Sequence, residues 1–106
     1  MAKYLLKVSY TLDGIKGVKA QGGSARRTAA EEAAKSVGGG LESFYFAFGD
    51  TDVYIVADLP DNTAAAALAV AVGAGGGATV QTVVLLSAEE MDSASTRQVG
   101  YRPPGS

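Results

Sequence analysis

Leu41-Glu42-Ser43-Phe44-Tyr45-Phe46-Ala47-Phe48-Gly49-Asp50-Thr51-Asp52-Val53-Tyr54-Ile55-Val56-Ala57-Asp58-Leu59 is the stretch that decides the fold. Two runs rich in aromatic and β-branched residues flank a four-residue turn. Glycine tolerates the backbone that turns demand, and aspartate bonds its own main chain there. The reading is a hairpin of strands 41–48 and 53–59. Alternation in the first strand puts Phe44, Phe46 and Phe48 on one face and Leu41, Tyr45 and Ala47 on the other. In the second, Val53, Ile55 and Ala57 alternate with Tyr54, Val56 and Asp58. Neither face is simply polar, so both faces of the sheet containing this hairpin call for cover.

Upstream of the hairpin, glycines mark where elements stop. Gly38-Gly39-Gly40 ends a helix in which Arg26, Arg27, Glu31, Glu32 and Lys35 form the wet side and alanines with Val37 the packed side, with Ser24 placed as its N-cap. Gly22-Gly23 separates that helix from an earlier segment starting near Thr11, with Ile15 and Val18 at helical spacing. Residues 3–10 read as a first strand, with Tyr4, Leu6, Val8 and Tyr10 on one face and Leu5 opposite.

Downstream, Pro60-Asp61-Asn62 opens an alanine-rich helix from Thr63 to about Val72, and Gly73 to Gly77 closes it. A fourth strand runs from Thr79 to Leu86. Ser87-Ala88-Glu89-Glu90 then has the pattern of a capping box opening a short last helix. The order is that of an α+β, ferredoxin-like β-α-β-β-α-β domain with an antiparallel sheet and helices on one face. Residues 1–96 make one domain and 97–106 a proline-rich C-terminal tail. The apolar open face of the sheet predicts a homodimer or higher homo-oligomer.

Composition limits the chemistry. The 106 residues include no cysteine and no histidine, so thiolate nucleophiles, Cys–His chemistry, Ser-His-Asp triads and the common metal ligands are excluded within the chain. No metal and no cofactor is expected. Formal net charge is −2, against nucleic-acid binding as a main role. The start of the chain lacks signal-peptide features and no run is long enough to span a membrane, so a cytoplasmic protein is the expectation. Residues 1–35 carry seven Lys or Arg and three acids, whereas residues 36–96 carry eight acids and no basic residue. Either the two halves interleave and balance, or an anion-attracting patch surrounds the first helices.

Three groups of residues are candidates for ligand binding. Gly22-Gly23-Ser24-Ala25-Arg26-Arg27 combines a helix start with two guanidinium groups, which suits an anion; solvated arginines on a kinked helix are the plainer reading. Asp50, Asp52 and Tyr54 gather ionisable groups near the hairpin turn, although turn aspartates commonly serve their own backbone. Tyr4, Tyr10, Tyr45 and Tyr54 offer aromatic walls for an organic molecule, or else core and interface. Lys7 and Lys16 are further donors without a distinctive context. The ligand-binding expectation is Tyr10, Arg26, Arg27, Tyr45, Asp52 and Tyr54.

Several of these segments resemble the GYD domain family: Tyr10-Thr11 with Gly14 and Gly17, the run Leu41–Gly49, Asp52–Val56, and Pro60-Asp61. The resemblance extends from about Lys3 to Met91. It implies the dimeric α+β barrel type of ferredoxin-like fold, in a family whose members mostly have no assigned activity. The Gly-Tyr-Asp signature corresponds to Gly49-Asp50-Thr51-Asp52, with threonine where the tyrosine stands, so no role of that tyrosine transfers. Relatives in fold include cofactor-free monooxygenases and isomerases as well as proteins without known catalysis. The expected function is a self-associating, non-catalytic domain that binds a small anionic or aromatic molecule. The alternative is a cofactor-independent enzyme acting on a small organic substrate, with Tyr45, Tyr54, Asp52 or Arg27 as acid, base or oxyanion partner. A third reading is a subunit of a larger assembly, clasped by the Tyr101–Gly105 tail.

Overall fold

A computed structural model describes residues 1–105. The chain order is β1 (Ala2–Tyr10), α1 (Leu12–Gln21), α2 (Gly23–Ser36), β2 (Gly40–Phe46), β3 (Val53–Leu59), α3 (Asn62–Ala74), β4 (Ala78–Leu85) and α4 (Ala88–Ser95). The four strands form one antiparallel sheet in the order β2-β3-β1-β4, which is the ferredoxin-like arrangement expected from the sequence. β1 sits centrally, pairing Leu6 with Ile55 on one side and with Thr82 on the other.

One face of the sheet packs on α2 and α3. Tyr4, Leu6, Val8, Val53, Ile55, Ala57 and Leu59 are buried there against Ala34, Ala65 and Leu68, and no polar or charged residue is buried among the described residues. Tyr4 fits because its hydroxyl donates to Asn62 Oδ1 at 2.6 Å, which satisfies the polar end of an otherwise enclosed ring. Asp61 caps α3 by accepting from the Ala64 N–H at 2.9 Å.

The opposite face carries no helix. Leu5, Tyr54, Val56, Tyr45, Val83 and Leu85 project there by strand alternation, beside Lys3 and Lys7. Lys3 bonds Asp58 directly across the β1–β3 ladder at 2.7 Å and reaches Glu42 at 3.4 Å.

Three local expectations are corrected. Ser24 does not cap α2: Gly22, at φ 86°, turns the chain in a single residue, and the helix resumes at Gly23 without any side-chain cap. Ser24 therefore lies in the first helical turn and lacks the extended backbone a capping hydroxyl needs. The first hairpin strand ends at Phe46, where the Ala47 N–H donates to the Asp52 carbonyl, and Phe48 stands fully in solvent. A β-bulge between Leu41 and Ser43 breaks the simple alternation, so that Leu41, opposite Ala57, joins Phe44, opposite Ile55, on the core side.

Candidate functional site

Alanine is the reason a recess exists. α2 turns Ala29, Ala30, Ala33 and Ala34 toward the sheet, and these side chains are too short to fill the gap beneath the helix. Phe44, Leu68 and Val72 wall the remainder, leaving an apolar cavity of about 120 Å³ between the helices and the sheet. Voids larger than a water molecule are few in a packed interior, and a dry cavity of about 150 Å³ holds a benzene molecule.

The cavity opens toward the end of the sheet where β1 gives way to α1. A second, outer pocket of about 320 Å³ lies there, lined by Asp13, Gly14, Gly17, Gly75 and Gly77. The two share Tyr10, Arg26, Val72 and Ala78, and so form one recess with an apolar inner end and a polar mouth. Glycine is required at the mouth. A Cβ at Gly14 would collide with the Gly77 carbonyl and press on the Tyr10 ring, so α1 approaches the loop before β4 as closely as backbone allows. Thr11 pins that approach: its N–H donates to the Gly77 carbonyl at 3.0 Å, and its hydroxyl donates to the Gly76 carbonyl at 2.8 Å while accepting from the Gly14 N–H at 3.2 Å.

Of the residues expected to bind a ligand, the fold brings Tyr10 and Arg26 together. Among the described residues they are the only polar side chains lining the inner cavity. Arg26 is half-buried and joins no ion pair among the described residues. Arg27 points away and is held in solvent by Glu31, one helical turn on, at 3.2 Å. Asp52 lies near Tyr10 but is engaged in structure. Its carboxylate Oδ2 accepts from the Tyr10 N–H at 2.8 Å and its own N–H donates to the Val8 carbonyl at 2.9 Å. Tyr45 and Tyr54 stand directly opposite each other on β2 and β3, on the face without helices, and are 70% and 39% exposed. Neither they nor Asp52 lines the recess.

Sequence reasoning missed the alanine stripe as a lining, and Asp13 as the acid of the mouth. The available signal was volume: a helix whose packed side is alanine fills little space unless it lies very close to the sheet. Among the described residues no group of three or more acids is placed to hold a metal ion, and no helix is long and apolar enough to cross a membrane.

Chemically, the recess suits a molecule with a small apolar body and one anionic group. The inner walls remove the body from water, at roughly 25 cal/mol per Å² of apolar surface. Arg26 offers a forked set of donors to a carboxylate at the point where the walls become polar.

No curated protein and no solved structure matches the chain. The profile of the GYD domain does, over residues 4–95. That span begins at the buried Tyr4 of β1, takes in all four strands and every wall of the recess, and ends with the last residue of α4, and on it the chain belongs to the GYD domain family.

Proposed function

We propose that this protein is a self-associating, non-catalytic domain that holds a small apolar molecule bearing a single anionic group. The observation that carries the reading is Arg26, a half-buried guanidinium without a carboxylate partner among the described residues, placed at the mouth of an apolar cavity of about 120 Å³. A cation in that position gains most from a counter-charge brought by a ligand. Tyr10 supplies the adjoining aromatic wall, and Asp52 fixes its backbone from behind.

Self-association is supported by the face without helices. Leu5, Val56, Val83 and Tyr54 form an apolar centre there, bordered by the Lys3–Asp58–Glu42 cluster. A second copy of the same face supplies matching apolar area, and the charged border sets its orientation.

Benzoate is a suitable probe for the recess, with benzamide as its uncharged counterpart. Benzoate is expected to raise the melting temperature of the protein in a concentration-dependent way and benzamide to do so much less. Arg26→Gln should abolish the difference between the two, and Arg27→Gln should leave it intact. Equal effects of benzoate and benzamide on the unsubstituted protein would refute the assignment to Arg26.

A further inference from the structure

The C-terminal arm is a capped helix that leans on little of its own chain. Every residue from Leu86 to Gly105 is exposed. The radius of gyration, 16.8 Å, exceeds the roughly 13 Å of a compact domain of this length, and the longest dimension reaches 57 Å. Yet α4 has a complete capping box, in which Ser87 Oγ accepts from the Glu90 N–H at 3.1 Å and Glu90 Oε1 accepts from the Ser87 N–H at 3.0 Å. Eight residues are too few to hold a helix in water by propensity and caps alone, so α4 needs a surface to rest on. Ala88, Met91 and Ser95 share one stripe of it, Glu89 and Asp92 flank that stripe, and the helix contains no basic residue.

The complementary surface is α1. Leu12 and Ile15 are large hydrophobic residues exposed on it, and Lys16 and Lys19 continue the same stripe at helical spacing. Neither lysine joins an ion pair among the described residues. Within one chain the two helices leave from opposite ends of the sheet. β4 delivers α4 beyond Leu85, opposite Lys3, whereas α1 follows Tyr10, opposite Ala78, about 23 Å away along the strands.

We infer that α4 of one chain docks on α1 of a second copy, Met91 against Leu12 and Ile15, with Glu89 and Asp92 against Lys16 and Lys19. The inference rests on the self-association proposed above and adds a second contact to the sheet-face one. A two-fold axis that reverses strand direction carries each arm to the other chain's first helix, so the contact forms twice. Its charges fix which way the copies are turned, which the apolar face alone does poorly.

The absence of cysteine makes a clean test possible in the full chain. Met91→Cys and Ile15→Cys are prepared separately, mixed, and oxidised at a concentration where light scattering reads a dimer or larger species. Disulfide-linked pairs of the two variants should form several-fold faster than pairs of Met91→Cys with Val70→Cys, a control on the exposed side of α3. Reversing the arm's charge with Glu89→Lys and Asp92→Lys should slow the linking several-fold, and Lys16→Glu with Lys19→Glu on the other variant should restore it. A dimer that links no faster than the control overturns the arm contact and leaves the sheet-face pairing standing. A chain that stays monomeric at every concentration overturns both.

Discussion

Asp52 Oδ2 accepts the backbone N–H of Tyr10 at 2.8 Å, so the hairpin turn holds a residue that borders the recess between helices and sheet. The β1–β3 pairing ends at Val8 opposite Val53, and this N–H has no carbonyl from β3 to meet. Removing the acceptor with Asp52→Ala should lower unfolding free energy by about 1.5–3 kcal/mol, the range for a hydrogen bond to a charged group. Urea titration measures the loss. A midpoint equal to that of the unsubstituted protein would mean that water replaces the carboxylate at no cost.

Gly14 and Gly17 stand one turn apart on α1 and should respond to alanine in opposite directions. At Gly14 the new methyl group meets the Gly77 carbonyl, which is backbone and cannot rotate aside, so a cost of about 1–3 kcal/mol is expected. At Gly17 nothing lies within 4 Å of the added carbon, and the helix should gain up to about 1 kcal/mol. Thermal unfolding of the two variants side by side checks both. A stabilised Gly14→Ala would mean that the α1 approach to Gly77 is slack.

Leu5 lies at the centre of the face without helices, opposite Val56 on β3 and Val83 on β4. On the proposed self-association, Leu5→Glu places a charge where two copies would meet, and it should leave a monomer with the circular dichroism of a folded chain where the unsubstituted protein is an oligomer. Light scattering reads the mass. A variant that keeps the oligomer's mass would move the interface away from this face.

Lys3 titrates above its ordinary value of 10.5, chiefly because its ammonium donates to Asp58, with further help from the charges of Asp58 and Glu42. A raised cationic pKa stabilises the fold fully below the unfolded value, and the contribution fades as pH rises through the folded one. The stability difference between the protein and its Lys3→Met variant should therefore be constant at neutral pH and shrink only above pH 10.5. Chemical denaturation at a series of alkaline pH values gives this difference directly. A difference already shrinking near neutrality would assign the effect to another group.

Much of this molecule is legible in its residue order. Gly38-Gly39-Gly40 and the glycines around Gly75 stop helices where the chain must turn back, and Ser87 with Glu90 forms the capping box their spacing announces. What cannot be read is phase. Arg26 and Arg27 are neighbours in sequence, yet about 100° separates them around a helix. Only the way α2 settles on the sheet puts one into the recess and leaves the other with Glu31. Leu41 and Phe44 share a face because a bulge adds a residue between them, and neither Glu42 nor Ser43 has a side chain that signals one. The cavity is hidden for a related reason: an alanine helix can close on a sheet or stand off from it, and the distance is set by bulkier neighbours such as Phe44 and Leu68.

The bulge in β2 has a further effect. β2 and β4 are the two borders of the sheet, and a border strand exposes unpaired N–H and carbonyl groups onto which another molecule's strand can add without limit. The irregularity at Leu41–Ser43 interrupts that row on the β2 side, so a fibre growing by strand addition would find a broken template there. For the self-association proposed above, that leaves the regular β4 border and the flat of the sheet as the surfaces open to a second copy, and of these only contact through the flat closes after two chains.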